Sequence, residues 1–276
     1  MSTKQVDSKK NIHNVSKEKI RKFQNKILTF YRLHKRDLPW RRTTDTYKIL
    51  LSELMLQQTQ VHRVIKYYKR WIHQWPTISS LASAKRSEIL HAWMGLGYNT
   101  RAVRLHVAAQ KIVNDFQGDV LKAMERYKEI PGVGRYTAQA VLIFSTNADM
   151  ATVDTNIRRI IINEFHLPAS LYDKQLWAFA EQCLPKGRSQ EWHNALMDYG
   201  ALVLTAKQTG LKPKTRQSPF EGSDRQIRAK ILRRLLKGAA TYSDLSIDIG
   251  VEKLRLKRIL QKMVNERLII KTETKY

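Results

Sequence analysis

Cysteine is nearly absent from this chain of 276 residues: Cys183 stands alone. A single thiol excludes an internal disulfide and any all-cysteine metal site. It also points to a reducing, intracellular compartment, cytoplasm or nucleoid, or the nucleus in a eukaryote. Acidic residues are scarce, 24 against 50 Lys and Arg, which leaves a net charge of +26. So large an imbalance implies a polyanionic partner, nucleic acid ahead of a membrane surface. Long apolar runs are missing: none reaches the roughly 18 residues needed to span a bilayer. Residues 1–10 lack the apolar core of a secretion signal. Strand-type alternation is almost absent before residue 220, so the bulk of the chain reads as all-α.

What the sequence does carry is punctuated by glycine. Ile130-Pro131-Gly132-Val133-Gly134-Arg135-Tyr136-Thr137 reads as a tight hairpin between two helices. Two glycines around one valine permit a left-handed backbone and close approach of a ligand. The helix that starts after Gly134 offers its first N–H groups to a phosphate. An ordinary interhelical loop would share the pattern. A second glycine turn, Gly95-Leu96-Gly97-Tyr98, also enters a helix. An aromatic at its tip can stack on or wedge between bases, or it can be a tyrosine buried under a helix cap.

Two carboxylates stand out. Glu53 has Ile49, Leu50 and Leu56 one turn away on the same helix. A carboxyl on an apolar face is costly to ionise, which suits a proton donor near neutral pH. The alternative is a Glu at the rim of the apolar stripe, paired with an Arg. Asp154, in Val153-Asp154-Thr155-Asn156, can cap the following helix or stabilise a cationic transition state.

The expected organisation follows from these signals. Residues 1–16 read as a disordered basic tail. Residues 17–218 read as helical throughout, with helices at 17–34, 63–74, 86–93, 100–116, 119–128, 135–145, 155–165, 172–183 and 188–204, and a long helix capped by Asp45. On the first of these, Ile20, Phe23, Ile27, Phe30 and Tyr31 share one face. Residues 206–219 hold two prolines and a glycine with cations and no acids, and read as an irregular basic linker. Residues 222–276 read as a separate winged-helix-like module: helices at 224–236, 242–249 and 251–266, then a wing strand over 268–274. Arg255, Lys257, Arg258 and Lys262 dot its third helix.

Taken in order, Leu38-Pro39-Trp40-Arg41, Ser52-Glu53 through Gln57-Gln58-Thr59-Gln60-Val61, Gly95 to Tyr98, Pro131 to Arg135, Val153 to Asn156, and Asn194 with Met197-Asp198 and Gly200 resemble the motifs of the helix-hairpin-helix DNA glycosylases. The likeness is to the A/G-specific adenine DNA glycosylases, the MutY type. It implies a two-lobed all-α fold that flips a nucleotide out of duplex DNA and cuts its N-glycosidic bond. On that resemblance Glu53 protonates the departing base, Asp154 stabilises the sugar cation and Asn156 helps position it. Trp40, Arg41 and Leu56 form the base pocket. Gln57, Gln58, Tyr98, Arg101, Pro131, Gly132, Val133, Gly134, Arg135 and Thr137 contact DNA. A monovalent or divalent cation can sit on the carbonyls of Ile130 and Val133.

Tyr136 stands where lyases of the family carry a lysine, and a phenol cannot form a Schiff base. A monofunctional, monomeric enzyme acting on double-stranded DNA with a mismatched or damaged base is expected. The four cysteines that hold the family's iron–sulfur cluster are not here, so no such cluster is expected. The basic loop 206–219 is a candidate replacement for its DNA contact. A domain for reading 8-oxoguanine is not matched either. Adenine opposite guanine or 8-oxoguanine is the leading substrate. Thymine or uracil opposite guanine is the alternative, and a non-catalytic DNA-binding protein is a third.

Overall fold

The computed structural model describes residues 15–210 and 219–276. From the N-terminus come α1 (Lys17–His34), a 3-10 turn at Pro39–Arg41 and α2 (Thr46–Leu56). Next are α3 (Val61–Gln74), α4 (Ile78–Ala82), α5 (Arg86–Trp93), α6 (Thr100–Phe116) and α7 (Val120–Glu125). A 3-10 turn at Tyr127–Glu129 leads through the hairpin to α8 (Arg135–Thr146), α9 (Thr155–Phe165), α10 (Asp173–Gln182), α11 (Ser189–Leu202) and α12 (Ala206–Thr209). The chain closes with α13 (Asp224–Leu235), α14 (Tyr242–Ile249) and α15 (Lys253–Asn265). Among the described residues there is no strand, and no helix is long and apolar enough to cross a membrane.

The chain divides into two compact units. The first holds the described residues up to Leu50 and from Gly134 to Gly210; the second holds Leu51 to Val133 and the described residues from 219 onward. In the first unit α1 packs on α11 and α11 on α9. The apolar face expected on α1 is the face that is used. Phe23 and Ile27 are buried, and Ile20, Phe30 and Tyr31 pack against the same cluster. Phe23 meets Phe165 and Trp192 edge-on at 5.0 and 5.4 Å between ring centroids, and Phe165 meets Phe179 at 4.8 Å. Each such pair contributes about 0.5–1.5 kcal/mol beyond its buried area.

In the second unit α6 is the central helix, with α4 and α5 against it. Ala102, Ala108 and Ala109 are buried on it and let its neighbours approach closely. Trp71 stacks edge-on with both Trp75 and Trp93. The three C-terminal helices form their own small core from Ile227, Ile231, Leu245, Leu256, Ile259, Leu260 and Met263.

The helices expected from the sequence are found with small shifts of their ends, but three local differences have physical causes. The short α4 was not foreseen; Thr77 and Ser80 make a capping box that supports its five residues. The wing strand expected over 268–274 does not form. Arg267 turns left-handed after α15, with φ +57°, and the Leu268 N–H returns to the Met263 carbonyl. That caps the helix and sends Leu268 and Ile269 into the core. The tail then turns at Thr272–Lys275, so only an isolated antiparallel bridge, Thr241 to Lys275, remains. Within the expected linker, Thr205 caps the single turn of α12; residues 211–218 lie outside the described residues, as does the expected tail apart from Val15 and Ser16. Ser16 caps α1 by accepting the Lys19 N–H.

Candidate functional site

The hairpin has the backbone its glycines foretold. Gly132 adopts φ +80°, and a Cβ there would lie 2.7 Å from Cβ of Arg104. No other residue satisfies both constraints without a shift. The Val133 N–H closes the turn on the Ile130 carbonyl at 3.2 Å, and both side chains are buried. Gly134 is the N-cap of α8 and supplies no side-chain cap, which suits an external acceptor at the first turn. Arg135 is exposed there, and its guanidinium stacks 4.0 Å from the ring centroid of Trp177. Tyr136 is half-buried and Thr137 buried on the same turn.

Asp154 is the N-cap of α9, as one of its two sequence readings requires. Its Oδ1 accepts the Ile157 N–H at 2.7 Å and its Oδ2 accepts the Asn156 amide at 3.0 Å. The amide oxygen of Asn156 in turn accepts a guanidinium N–H of Arg159 at 2.9 Å. Arg159 is anchored by the carbonyls of Gly200 and Leu204. Gly200 lets the two helices pack closely, since a Cβ there would come within 3.1 Å of Ile160 and 3.3 Å of Asn156 and oblige them to shift by a few tenths of an ångström. The result is an ordered line, Arg159 to Asn156 to Asp154, built on one turn of helix. Burial pushes the Asp154 carboxyl above the usual carboxylate range; the Ile157 N–H, Asn156 and the nearby Arg159 charge act in the opposite direction.

The segment before Asp154 is also fixed. The Ala151 N–H donates to Glu181, and the Thr152 N–H donates to Nε2 of the buried His193 at 3.0 Å. Nδ1 of His193 lies 2.7 Å from the Ser189 carbonyl. Those partners require the neutral tautomer with the proton on Nδ1. Burial agrees, holding the His193 pKa down to about 4.

Arg41, expected in the base pocket, is committed elsewhere. Its two terminal nitrogens each lie 2.8 Å from an oxygen of Asp198, whose side chain is fully buried. Arg36 joins through its backbone N–H and Nε. Arg41 is thus an internal clamp, because leaving the Asp198 charge unpaired in the interior would be costly. Trp40 beside it is buried, and Leu56 is half-buried at the end of α2.

In the second unit Glu53 is only 8 % exposed, flanked by buried Ser52, Leu54 and Met55. After α2 the chain passes Gln57, then Gln58 in a left-handed conformation with φ +54°. Tyr98 is left-handed too, with φ +50°, at the tip of the glycine turn. Gly95, with φ +101°, leaves room for the Tyr67 hydroxyl, which donates to the Met94 carbonyl at 2.8 Å.

Arg101, expected to contact DNA, is buried, and its Nη1 donates to the carbonyls of Leu54, Met55 and Gln57. Its Nη2 donates to the Thr59 hydroxyl and the Gly97 carbonyl. The guanidinium also lies over the rings of Trp93 and Tyr98. Carbonyls left open at the end of α2 are satisfied this way, and burial lowers the Arg101 pKa to about 10.

Residues missed from the sequence are Arg159, His193, Trp177 and Arg36. Arg159 was within reach, three positions past Asn156 on one helix face; the others are paired across long stretches of chain. The iron–sulfur cluster of the resembling family does not fit. Cys183 is buried at the end of α10, its carbonyl held by Gln24, and burial pushes its thiol up to about 12. One protonated thiol cannot stand in for four thiolates.

A family model described as HhH-GPD superfamily base excision DNA repair protein matches residues 51–181. The adenine DNA glycosylase of Mycolicibacterium smegmatis is 35% identical over 246 residues, covering 81% of this chain and 83% of that protein. The human adenine DNA glycosylase is 37% identical over 212 residues, 72% of this chain but 38% of that protein's length. Among solved structures, a thermostable thymine-DNA glycosylase aligns with a TM-score of 0.63 and 31% identity, over 69% of this chain and 90% of its own. The hairpin, the capped Asp154 and these likenesses agree: the chain belongs to the HhH-GPD superfamily of base excision DNA repair proteins.

Proposed function

We propose that this protein is a monofunctional, monomeric DNA glycosylase that removes adenine mispaired with guanine or 8-oxoguanine. The observation that carries the reading is Asp154, a carboxylate fixed by a helix N-terminus and by the Asn156–Arg159 line, in a chain whose relatives are named adenine DNA glycosylase. In this reading the hairpin amides hold a phosphate of the flipped strand. Glu53 gives its proton to N7 of adenine, and the C1′–N9 pair of electrons leaves with the base. Asp154 faces the oxocarbenium ion that remains. Water adds at C1′ and its proton returns to Glu53. Tyr136 has no amine, so the sugar is not attacked by the protein and the strand stays intact.

The test is single-turnover base release on duplexes with A opposite G, A opposite 8-oxoguanine, T opposite G and U opposite G, read with and without alkali. Adenine release, with strand breaks only after alkali, is expected. Glu53→Gln should lower the rate by about 10²–10⁴, the usual worth of a positioned proton donor. A second reading, removal of thymine or uracil opposite guanine, is favoured by the 31% identity to a thymine-DNA glycosylase structure. Release of T or U with adenine untouched would establish it and overturn the first.

A further inference from the structure

α14, the turn at 250–252 and α15 form a helix–turn–helix. Gly250 makes the turn with φ +65°, and Glu252 caps α15 by accepting the Leu254 and Arg255 N–H groups. The inner face of α15 is spent on the small C-terminal core. Its outer face carries Lys257, Arg258, Gln261 and Lys262, all exposed, around Leu254, which is 77% exposed. Leu254, Arg258 and Gln261 are spaced at helical intervals and share that face.

The charges on this face are not used inside the module. Among the described residues Lys257 and Lys262 have no carboxylate within ion-pair distance. Arg255 differs: it turns in to Asp224 and the Gly222 carbonyl, so it is removed from the set read off the sequence. Arg258 reaches the same Asp224 at 3.3 Å but keeps 70% of its side chain in solvent. The acidic groups near the face are Asp224, shared by these two arginines, and Glu252, held by its cap. Residues 219–276 carry 14 Lys and Arg against 7 Asp and Glu.

The combination on this face matches what a helix entering the major groove of DNA uses: cations at its flanks meet phosphates, an amide meets base edges, and an apolar tip near its N-terminus meets thymine methyl groups. We propose that α15 is a second DNA-contacting helix that binds undamaged duplex through the major groove. Lys257, Arg258 and Lys262 reach phosphates, and Leu254 and Gln261 reach base edges. The proposal takes its partner from the glycosylase reading but involves none of the residues assigned to base release.

The experiment is equilibrium binding of the full chain to an undamaged fluorescent duplex between about 50 and 200 mM salt. Replacing Lys257 and Lys262 together by Ala should make the plot of log K against log salt shallower by about 2, since each phosphate contact contributes about 0.9. Gln261→Ala should weaken binding at constant slope. Methyl green, a major-groove ligand, should compete with the wild type, whereas netropsin, in the minor groove, should not. An unchanged slope and affinity in a lysine variant that melts like the wild type would overturn the proposal. So would competition by netropsin alone. Single-turnover base release at saturating protein is measured in parallel and should be unchanged in the variants. Its absence in the wild type would sink the glycosylase reading while leaving the binding result to judge α15.

Discussion

Replacing Asp198 by Asn should destabilise the first unit severely although it changes one oxygen to nitrogen. The carboxylate accepts four N–H groups: Arg36 N at 2.9 Å, Arg36 Nε at 2.5 Å and two from Arg41 at 2.8 Å. Its side chain is fully buried, and those of Arg41 and Arg36 are 11% and 24% exposed, so water screens little. An amide there turns two donors against the guanidinium donors and leaves two cations without an anion. Breaking a buried pair from one side costs about 3–5 kcal/mol. For a chain of this size that lowers the melting temperature by roughly 6–20 °C.

The pH dependence follows from the direction of the Asp198 shift. Burial raises its pKa, but hydrogen bonds and charges from Arg41 and Arg36 outweigh it, and the folded value lies below the ordinary one. A depressed carboxylate stabilises the fold above its unfolded pKa, about 3.9, and the benefit is lost as pH falls through the folded value. Thermal melts followed by circular dichroism should therefore show the full gap between wild type and variant at pH 7 and a shrinking gap below about pH 4. Adding Arg41→Met to Asp198→Asn should cost less than the sum of the two single changes, because the orphaned cation goes with it. A melting temperature lowered by under about 2 °C at pH 7 would refute the reasoning, since it corresponds to no more than about 1 kcal/mol.

Other outcomes are expected from the same geometry. Gly132→Ala should weaken lesion-duplex binding and lower the melting temperature, because a Cβ meets Arg104 and the backbone is left-handed; unchanged binding would mean the hairpin yields without cost. Cys183 should resist a thiol reagent at pH 8 in the folded protein and react at once in denaturant, since its pKa is pushed to about 12. Arg159→Met should slow base release while lesion-duplex affinity is kept, because it acts on Asp154 through Asn156. On the proposed role of Asp154 as the carboxylate facing the sugar cation, the acid limb of the pH–rate profile should lie above the ordinary carboxylate range, because burial raises its pKa. Arg159→Met should move that limb further up, as a nearby positive charge is lost.

Local chemistry was legible in the sequence, and long-range pairing was not. The Asp45 and Asp154 caps, the glycine hairpin and the apolar stripe of α1 each depend on residues within a turn or two of one another. Sequence spacing reports such neighbours directly. Arg101 and Arg41 carried the same charge signal as any phosphate-binding arginine in a chain of +26. What distinguishes them is a partner 42–47 or 153–157 residues away, invisible to local pattern. The wing was misjudged for a related reason. Leu268, Ile269 and Ile270 have strand-forming side chains, but the left-handed Arg267 and the demand of a small core for two apolar residues decided their conformation.

Arg101 also makes two distant pieces of sequence into a single mechanical part. The loop after α2, with Gln58, and the glycine turn, with Tyr98, hang from one guanidinium, Nη2 of which holds the Thr59 hydroxyl and the Gly97 carbonyl together. Both tips sit in backbone conformations that cost energy on their own, and the shared pin keeps each in register with the other. Variation in either loop is therefore inherited by its counterpart. A substitution near Gln58 should appear as altered behaviour at Tyr98, and the effects of changing both should fall short of their sum. A lysine cannot replace the pin, because a single ammonium lacks the planar fork that reaches five oxygens at once.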